Sequence, residues 1–315
     1  MSLELPKILI KLSKDAFNSF NLNWRLSRLS EPFDMFKSNL FISSFMSKNF
    51  LSILSNWFWI FSDTPIKLFK LVEFMAPIDV CCGSWKLRLT FNELRLTSAL
   101  LSSLTNTPKL PATILVDDCY SSMFSGCKSL TNAPELPATT LANNCYGNMF
   151  YNCTSLTNAP ELPATTLADY CYGNMFSGCK SLTNAPELPA TILTNNCYIY
   201  MFSKCTSLKT TPKLPATTLT TECYSYMFRG CTSLTTAPEL PATTLANNCY
   251  RNMFYGCNKL NYIKMLATDI SATECLSSWV YGVSSTGTFV KDPNMTSLLT
   301  GTSGIPNGWT VQDAA

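Results

Sequence analysis

The chain has 315 residues, with 23 Lys and Arg against 20 Asp and Glu and no histidine. A formal charge of +3 leaves no basic excess to displace counterions, which argues against nucleic acid as a partner, and the missing imidazole excludes Ser-His-Asp triads and most zinc hydrolase sites. The fifteen cysteines are roughly 5% of the chain, too sparse for a small disulfide-held domain, so their positions must account for them.

Residues 1–96 form an unclassified region of distinct composition. No glycine precedes Gly83, and eleven of the nineteen phenylalanines lie in the first 82 residues. Met1–Ser13 alternates Leu or Ile with Lys but lacks the apolar core and small-residue cleavage site of a secretory signal. The stretch 41–62, FISSFMSKNFLSILSNWFWIFS, is the best candidate for membrane association. Lys48, Asn49, Asn56 and several serines interrupt it, which argues against a spanning helix and for a buried or interfacial one. A further reading is an over-extended reading frame without an evolved fold, since a long stretch without glycine lacks the turn punctuation of a compact domain. N-terminal sequencing that found initiation at Met1 would exclude it. Trp85–Leu96 alternates apolar and polar residues and reads as a strand.

From residue 103 the chain repeats with a period of 26. Leu-Pro-Ala-Thr begins at Leu110, Leu136, Leu162, Leu188, Leu214 and Leu240. Cys-Tyr-x-x-Met-Phe-x-x-Cys starts at Cys119, Cys145, Cys171, Cys197, Cys223 and Cys249 and ends at Cys127, Cys153, Cys179, Cys205, Cys231 and Cys257. A seventh unit keeps Leu266 and Cys275 but loses Met-Phe. A short fixed period means a solenoid, each unit one coil that is stable only when stacked. Within a coil, Ser155–Leu162 reads as a short strand, limited by Pro160 and Pro163, and Ala164–Leu167 as a second extended piece. Asn143-Asn144, Asn195-Asn196, Asn247-Asn248 and Asp169 stand where a helix cap belongs. The spacing then predicts a short helix over Cys171–Phe176, with Cys171 and Met175 on one stripe and Tyr172 and Phe176 on the next. Gly178 turns the chain back. The expected fold is an α+β solenoid over 97–276, with six full coils and one degenerate coil. Each coil carries short strands and a short helix. The glycine-rich tail breaks the pattern and is expected to be a C-terminal cap over 277–315.

The unit SLTNAPELPATTLADYCYGNMFSGCK (155–180), followed by Ser181-Leu182, resembles the BspA-type leucine-rich repeats of bacterial surface proteins. Met-Phe-x-x-Cys-x-x-Leu fills the place of their A-F-x-x-C-x-x-L. The unit is also similar to the lipoprotein surface repeats of mycoplasmas. The closing segment, from GTFVKDPNM to GTSGIPNGWTVQDA, resembles the tail that follows such repeats in proteins of gut Bacteroidales and their phages. The resemblance covers about 103–275. It implies a non-catalytic binding or adhesion protein, extracellular or at the cell surface, whose partner is a host or bacterial surface protein or glycan. A phage or virion structural component is the alternative it implies.

The residues themselves offer little chemistry. In Cys-x7-Cys the ligands are too far apart for a zinc knuckle, and histidine cannot complete the set, so no metal site is expected. Equivalent cysteines in successive coils could form disulfides or could simply stack as small buried hydrophobes. Tyr-x-x-Met-Phe reads as core rather than as an aromatic ligand platform. Glu135, Glu161, Glu187, Lys213 and Glu239 fall in one column, either a solvated face or a site for cations or a basic partner. Variation between coils concentrates at Gly147-Asn148, Ile199-Tyr200, Ser225-Tyr226 and Arg251-Asn252, and at Ser125, Tyr151, Arg229 and Tyr255. These positions are expected to face outward, and either this helix-side stripe or the strand side would carry recognition. Asn152-Cys153-Thr154, expected to be partly buried, and Asn294-Met295-Thr296 match the glycosylation triplet. No phosphate loop or paired-carboxylate signature is present, so no catalytic, cofactor or metal residue is assigned.

Overall fold

The computed structural model describes residues 102–107 and 109–315. The readings for 1–96, including the stretch 41–62 and the Trp85–Leu96 strand, lie outside the described residues.

The peptide groups of the Cys-Tyr segment decide the architecture. Odd-numbered N–H groups donate to the carbonyl three residues back: Gly147 to Asn144, Met149 to Tyr146, Tyr151 to Asn148 and Cys153 to Phe150, at 3.0–3.2 Å. Even-numbered N–H groups donate out of the coil, to odd-numbered carbonyls of the next: Tyr146 to Cys171, Asn148 to Gly173, Phe150 to Met175 and Asn152 to Ser177, at 2.8–3.0 Å. Five such axial bonds cross each of the six junctions between Asp118 and Gly256. An α-helix needs its N–H groups for carbonyls four residues back. Here half of them serve the neighbouring coil, so the helix predicted over Cys171–Phe176 does not form. From residue 103 on, the described residues contain no helix.

A spiral of overlapping turns takes its place. Every fourth residue is left-handed, as at Asn144 (φ 51°), Asn148 (φ 55°) and Asn152 (φ 58°). Positive φ at the third residue of a turn is type II geometry, which favours Asn and Gly. Asn174 and Gly178, and Asn248, Asn252 and Gly256, accordingly fill the same places. Three of the residues expected as helix caps do accept backbone N–H bonds, but from the next coil. Asn143 Oδ1 accepts from Asp169 at 3.1 Å, Asp169 Oδ1 from Asn195 at 3.0 Å and Asn247 Oδ1 from Thr273 at 3.0 Å.

The opposite wall is strand-like. Single parallel bridges join Asn132 to Asn158, Thr140 to Thr166, Asn184 to Thr210 and Thr218 to Thr244. Proline supplies no N–H, which keeps this wall from becoming a continuous ladder. The seventh coil has no proline, and there the first full strand forms, β1 (Tyr262–Met265). It pairs in parallel with β2 (Thr288–Lys291), and β2 with β3 (Thr310–Asp313), in an open sheet of order β1-β2-β3. Tyr262 faces Thr288, which keeps the 26-residue offset, and Thr288 faces Thr310, which shortens it to 22. The tail therefore loses the side-chain motif but continues the parallel stacking.

Between the walls the Leu, Cys, Tyr and Phe columns each hold one residue type through the six full coils. Leu156, Leu182, Leu208, Leu234 and Leu260 are fully buried. Rings of Tyr120 through Tyr250 stack coil on coil at 5.7–6.1 Å, and rings of Phe124 through Phe254 at 5.6–5.8 Å. Both ladders end on Trp279, which stands 26 residues after Met253. Its ring lies 6.5 Å from Tyr250, 6.0 Å from Phe254 and 6.2 Å edge-on from Phe289. The Trp279 Nε1–H donates to the Gly304 carbonyl at 2.9 Å. The architecture is thus a repeat solenoid of parallel coils with an open sheet, and the helical part of the α+β expectation is replaced by turns.

Candidate functional site

The thiols are consumed by the core. The cysteines that close each motif donate Sγ–H to a Phe carbonyl in the preceding coil: Cys153 to Phe124, Cys179 to Phe150, Cys205 to Phe176, Cys231 to Phe202 and Cys257 to Phe228, at 3.0–3.1 Å. Each of these carbonyls already accepts the N–H three residues on, so the thiol uses its second lone pair. Burial pushes the thiols of Cys127, Cys153, Cys205 and Cys257 up to about 12, away from the thiolate that nucleophilic attack or metal ligation requires. Every cysteine from Cys127 to Cys275 is a free thiol, so of the two readings the stacked hydrophobe is the one realised. Among the described residues no group of three Cys, Asp or Glu is arranged to hold a metal.

The strand-side wall is exposed and satisfied by its own repeats. Glu135, Glu161, Glu187, Lys213 and Glu239 all face solvent, and Glu239 pairs with Lys264 at 2.8 Å. Asn158 Nδ2 donates to Asn132 Oδ1 at 3.3 Å, and Thr210 Oγ1 donates to Asn184 Oδ1 at 2.9 Å. Thr139, Thr140, Thr165 and Thr166 are exposed with little change from coil to coil.

On the turn side the expectation divides. The first position points inward in three of the four variable pairs: Ile199 is 5% exposed, Ser225 is 0% exposed and Gly147 is buried, whereas Arg251 is half-open. The side chain three residues earlier covers this column, since a Cβ on Gly147 would meet Asn144 Oδ1 and one on Gly173 the Tyr170 ring. Ser225 Oγ donates to the Arg251 carbonyl of the next coil at 3.3 Å. The second position stays half-open at Asn148, Tyr200, Tyr226 and Asn252, as do Ser125, Arg229 and Tyr255, while Tyr151 is exposed. In the glycosylation triplet Asn152 itself is exposed and Cys153 is the buried member.

The turn side also carries ring contacts between coils that single-coil reasoning overlooked. Tyr200 and Tyr226 stack at 4.2 Å, and Tyr255 and Tyr281 at 4.8 Å. The Arg229 guanidinium lies over the Tyr255 ring at 5.1 Å. Arg251 pairs with Glu274 at 3.0 Å. Partial burial and then the neighbouring Tyr226 push the Tyr200 hydroxyl up to about 12. The available signal was the recurrence of tyrosine 26 residues on, at 200 and 226 and at 255 and 281.

A profile described as BspA type leucine rich repeat region matches residues 100–235 and 172–278, with six copies. The chain belongs to the BspA-type leucine-rich repeat family. No curated protein and no solved structure matches it. The match ends at 278, so the likeness of the tail to Bacteroidales and phage proteins lies outside it, and the virion alternative gains no support. In this BspA-type chain the Met-Phe-x-x-Cys-x-x-Leu residues of each full coil are core. Native protein should therefore leave the twelve thiols from Cys127 to Cys275 unmodified by Ellman's reagent, and denaturation without reductant should release them all. A denatured count of only a few thiols would show that the ladders are bridged.

Proposed function

We propose that the chain is a non-catalytic surface module whose BspA-type coils present a repeat face to a protein or glycan. One observation carries this reading: the thiols from Cys127 to Cys275 are sealed in the core, while residues that differ between coils include half-open ones on the turn side. Proteins with BspA-type repeats are usually surface-associated, and leucine-rich repeats in general bind proteins, which supports the same role. Among the described residues no helix is long and apolar enough to cross a membrane. In this reading 97–276 is the recognition solenoid and 277–315 its cap.

The test is binding of the full chain to protein and glycan arrays, together with protease treatment of intact cells. Selective binding and removal of the chain by added protease are expected. No binding, with the chain protected inside the cells, would overturn the proposal.

A further inference from the structure

The two walls differ in what they have left to offer a partner. Strand-side residues recur almost unchanged and hydrogen-bond to their own equivalents. The outward turn-side columns instead vary among Ser, Asn, Tyr and Arg: Asn148, Asn174, Tyr200 and Tyr226 in one, Ser125, Tyr151, Arg229 and Tyr255 in the other, where Ser177 and Ser203 are the buried members. This is the palette of adaptable recognition surfaces, in which Tyr and Arg act as anchors and Ser and Asn as hydrogen-bonding filler. Both arginines of the repeat, Arg229 and Arg251, lie in this region.

The anchors recur in five successive coils. Tyr170 accepts a hydrogen bond from Asn174 Nδ2 at 3.2 Å. Tyr200 stacks on Tyr226 in the next coil, and Arg229, Tyr255 and Tyr281 follow one upon another through three coils. At a coil spacing of about 4.8 Å, the five coils from Tyr170 to Tyr281 span roughly 20 Å. Stacking already holds these side chains in place, so little rotamer freedom remains to be lost on binding.

The geometry also selects the class of partner. A sugar ring stacks on an open aromatic face, but Tyr200 and Tyr226 close each other's inner faces, and Tyr255 lies between Arg229 and Tyr281. The polar groups left on offer are the tyrosine hydroxyls and a guanidinium, which suit carboxylates and backbone carbonyls. Arg251 is matched by Glu274, whereas Arg229 has no ion pair with a described residue, and exposed Lys204 adds a cation against the half-buried Glu222. We infer that the turn-side stripe, and not the strand wall, is the docking surface, and that it takes an acidic loop of a protein. Arg229 holds a carboxylate of that loop, and Tyr200, Tyr226, Tyr255 and Tyr281 pack along its flanks. The inference rests on the binding-module reading above.

Selection of a random peptide phage library on the full chain, with a glycan array in parallel, tests it. Selected peptides should be enriched in Asp and Glu and bind less tightly as salt rises. Arg229→Ala and Tyr226→Ala should each raise Kd by about tenfold or more, while Thr165→Ala and Glu161→Ala stay within about twofold. Circular dichroism melting of the variants separates lost docking from lost fold. Peptides without acidic residues, an equal loss from the strand-side variants, or a glycan whose binding falls with Tyr281→Ala would overturn the assignment. A chain that binds through the strand wall overturns this face and leaves the binding function intact. A chain that binds no peptide and no arrayed ligand overturns both.

Discussion

Raising the pH above about 9 should unfold the repeat in one cooperative transition, well before its thiols would ionise in the folded state. Burial pushes the thiols of Cys127, Cys145, Cys153, Cys171, Cys205, Cys223 and Cys257 from the ordinary 9.0 up to about 12. Between those values the folded chain keeps protons that the unfolded chain releases. The contribution to stability is therefore complete below about 9 and is lost progressively as pH rises toward 12. Each thiol removes about 1.4 kcal/mol per pH unit, so the seven together remove about 10, comparable with the whole stability of a typical domain at about 5–15 kcal/mol. Burial of Tyr172, Tyr198, Tyr224 and Tyr250 raises their hydroxyls too and acts in the same direction. Far-ultraviolet circular dichroism and thiolate absorbance, followed together, should change at one pH. Thiolate appearing near 9 with the dichroism intact would mean that the ladders are open to solvent.

Trp279→Ala should be the most damaging single substitution, costing about 3–5 kcal/mol in chemical denaturation. The side chain is 0% exposed, closes both aromatic ladders and meets Phe289 edge-on. Its removal would open a cavity and leave the Gly304 carbonyl without its indole donor. Trp279→Phe should recover most of the packing and lose the hydrogen bond, at about 1 kcal/mol. Coils depend on nearest neighbours, so amides of the Cys249 coil should gain exchange rate before those of the Cys145 coil. A loss below about 1 kcal/mol for Trp279→Ala, or faster exchange spread evenly over all coils, would show that the ladders need no closure.

Much of this architecture was legible in the amino-acid order, because stacking converts a period into columns. The columns of Leu, Cys, Tyr and Phe that recur every 26 residues are the buried ones, and the prolines flanking Leu162 do limit the strand wall. The helix was misread because a spiral that buries the first two residues of every four-residue turn selects the same side chains as a short helix. Cys171, Tyr172, Met175, Phe176 and Cys179 are inward in either geometry. What separates the two is the left-handed residue at every fourth position. Asn248, Asn252 and Gly256 spell it out, whereas Tyr200 and Lys204 adopt it without being typical of it. The outward direction expected of Ile199 and Ser225 failed for a related reason, since variability within the chain does not reveal which neighbour folds over a position. The stacked tyrosines needed three dimensions, because their contacts run between coils rather than along one.

The axial bonds of the turn wall have an electrical consequence. All five donors at every junction point from one coil toward the next, whereas bonds on the strand wall run both ways. The peptide dipoles of the turn wall therefore add instead of cancelling, with the positive pole toward the C-terminal coils, the reverse of an α-helix. At that pole the Ser278 and Val280 N–H groups meet the Ser303 hydroxyl and the Thr302 carbonyl. Every coil added to such an array strengthens the polarity, so the solenoid is a directed object whose two ends favour charges of opposite sign.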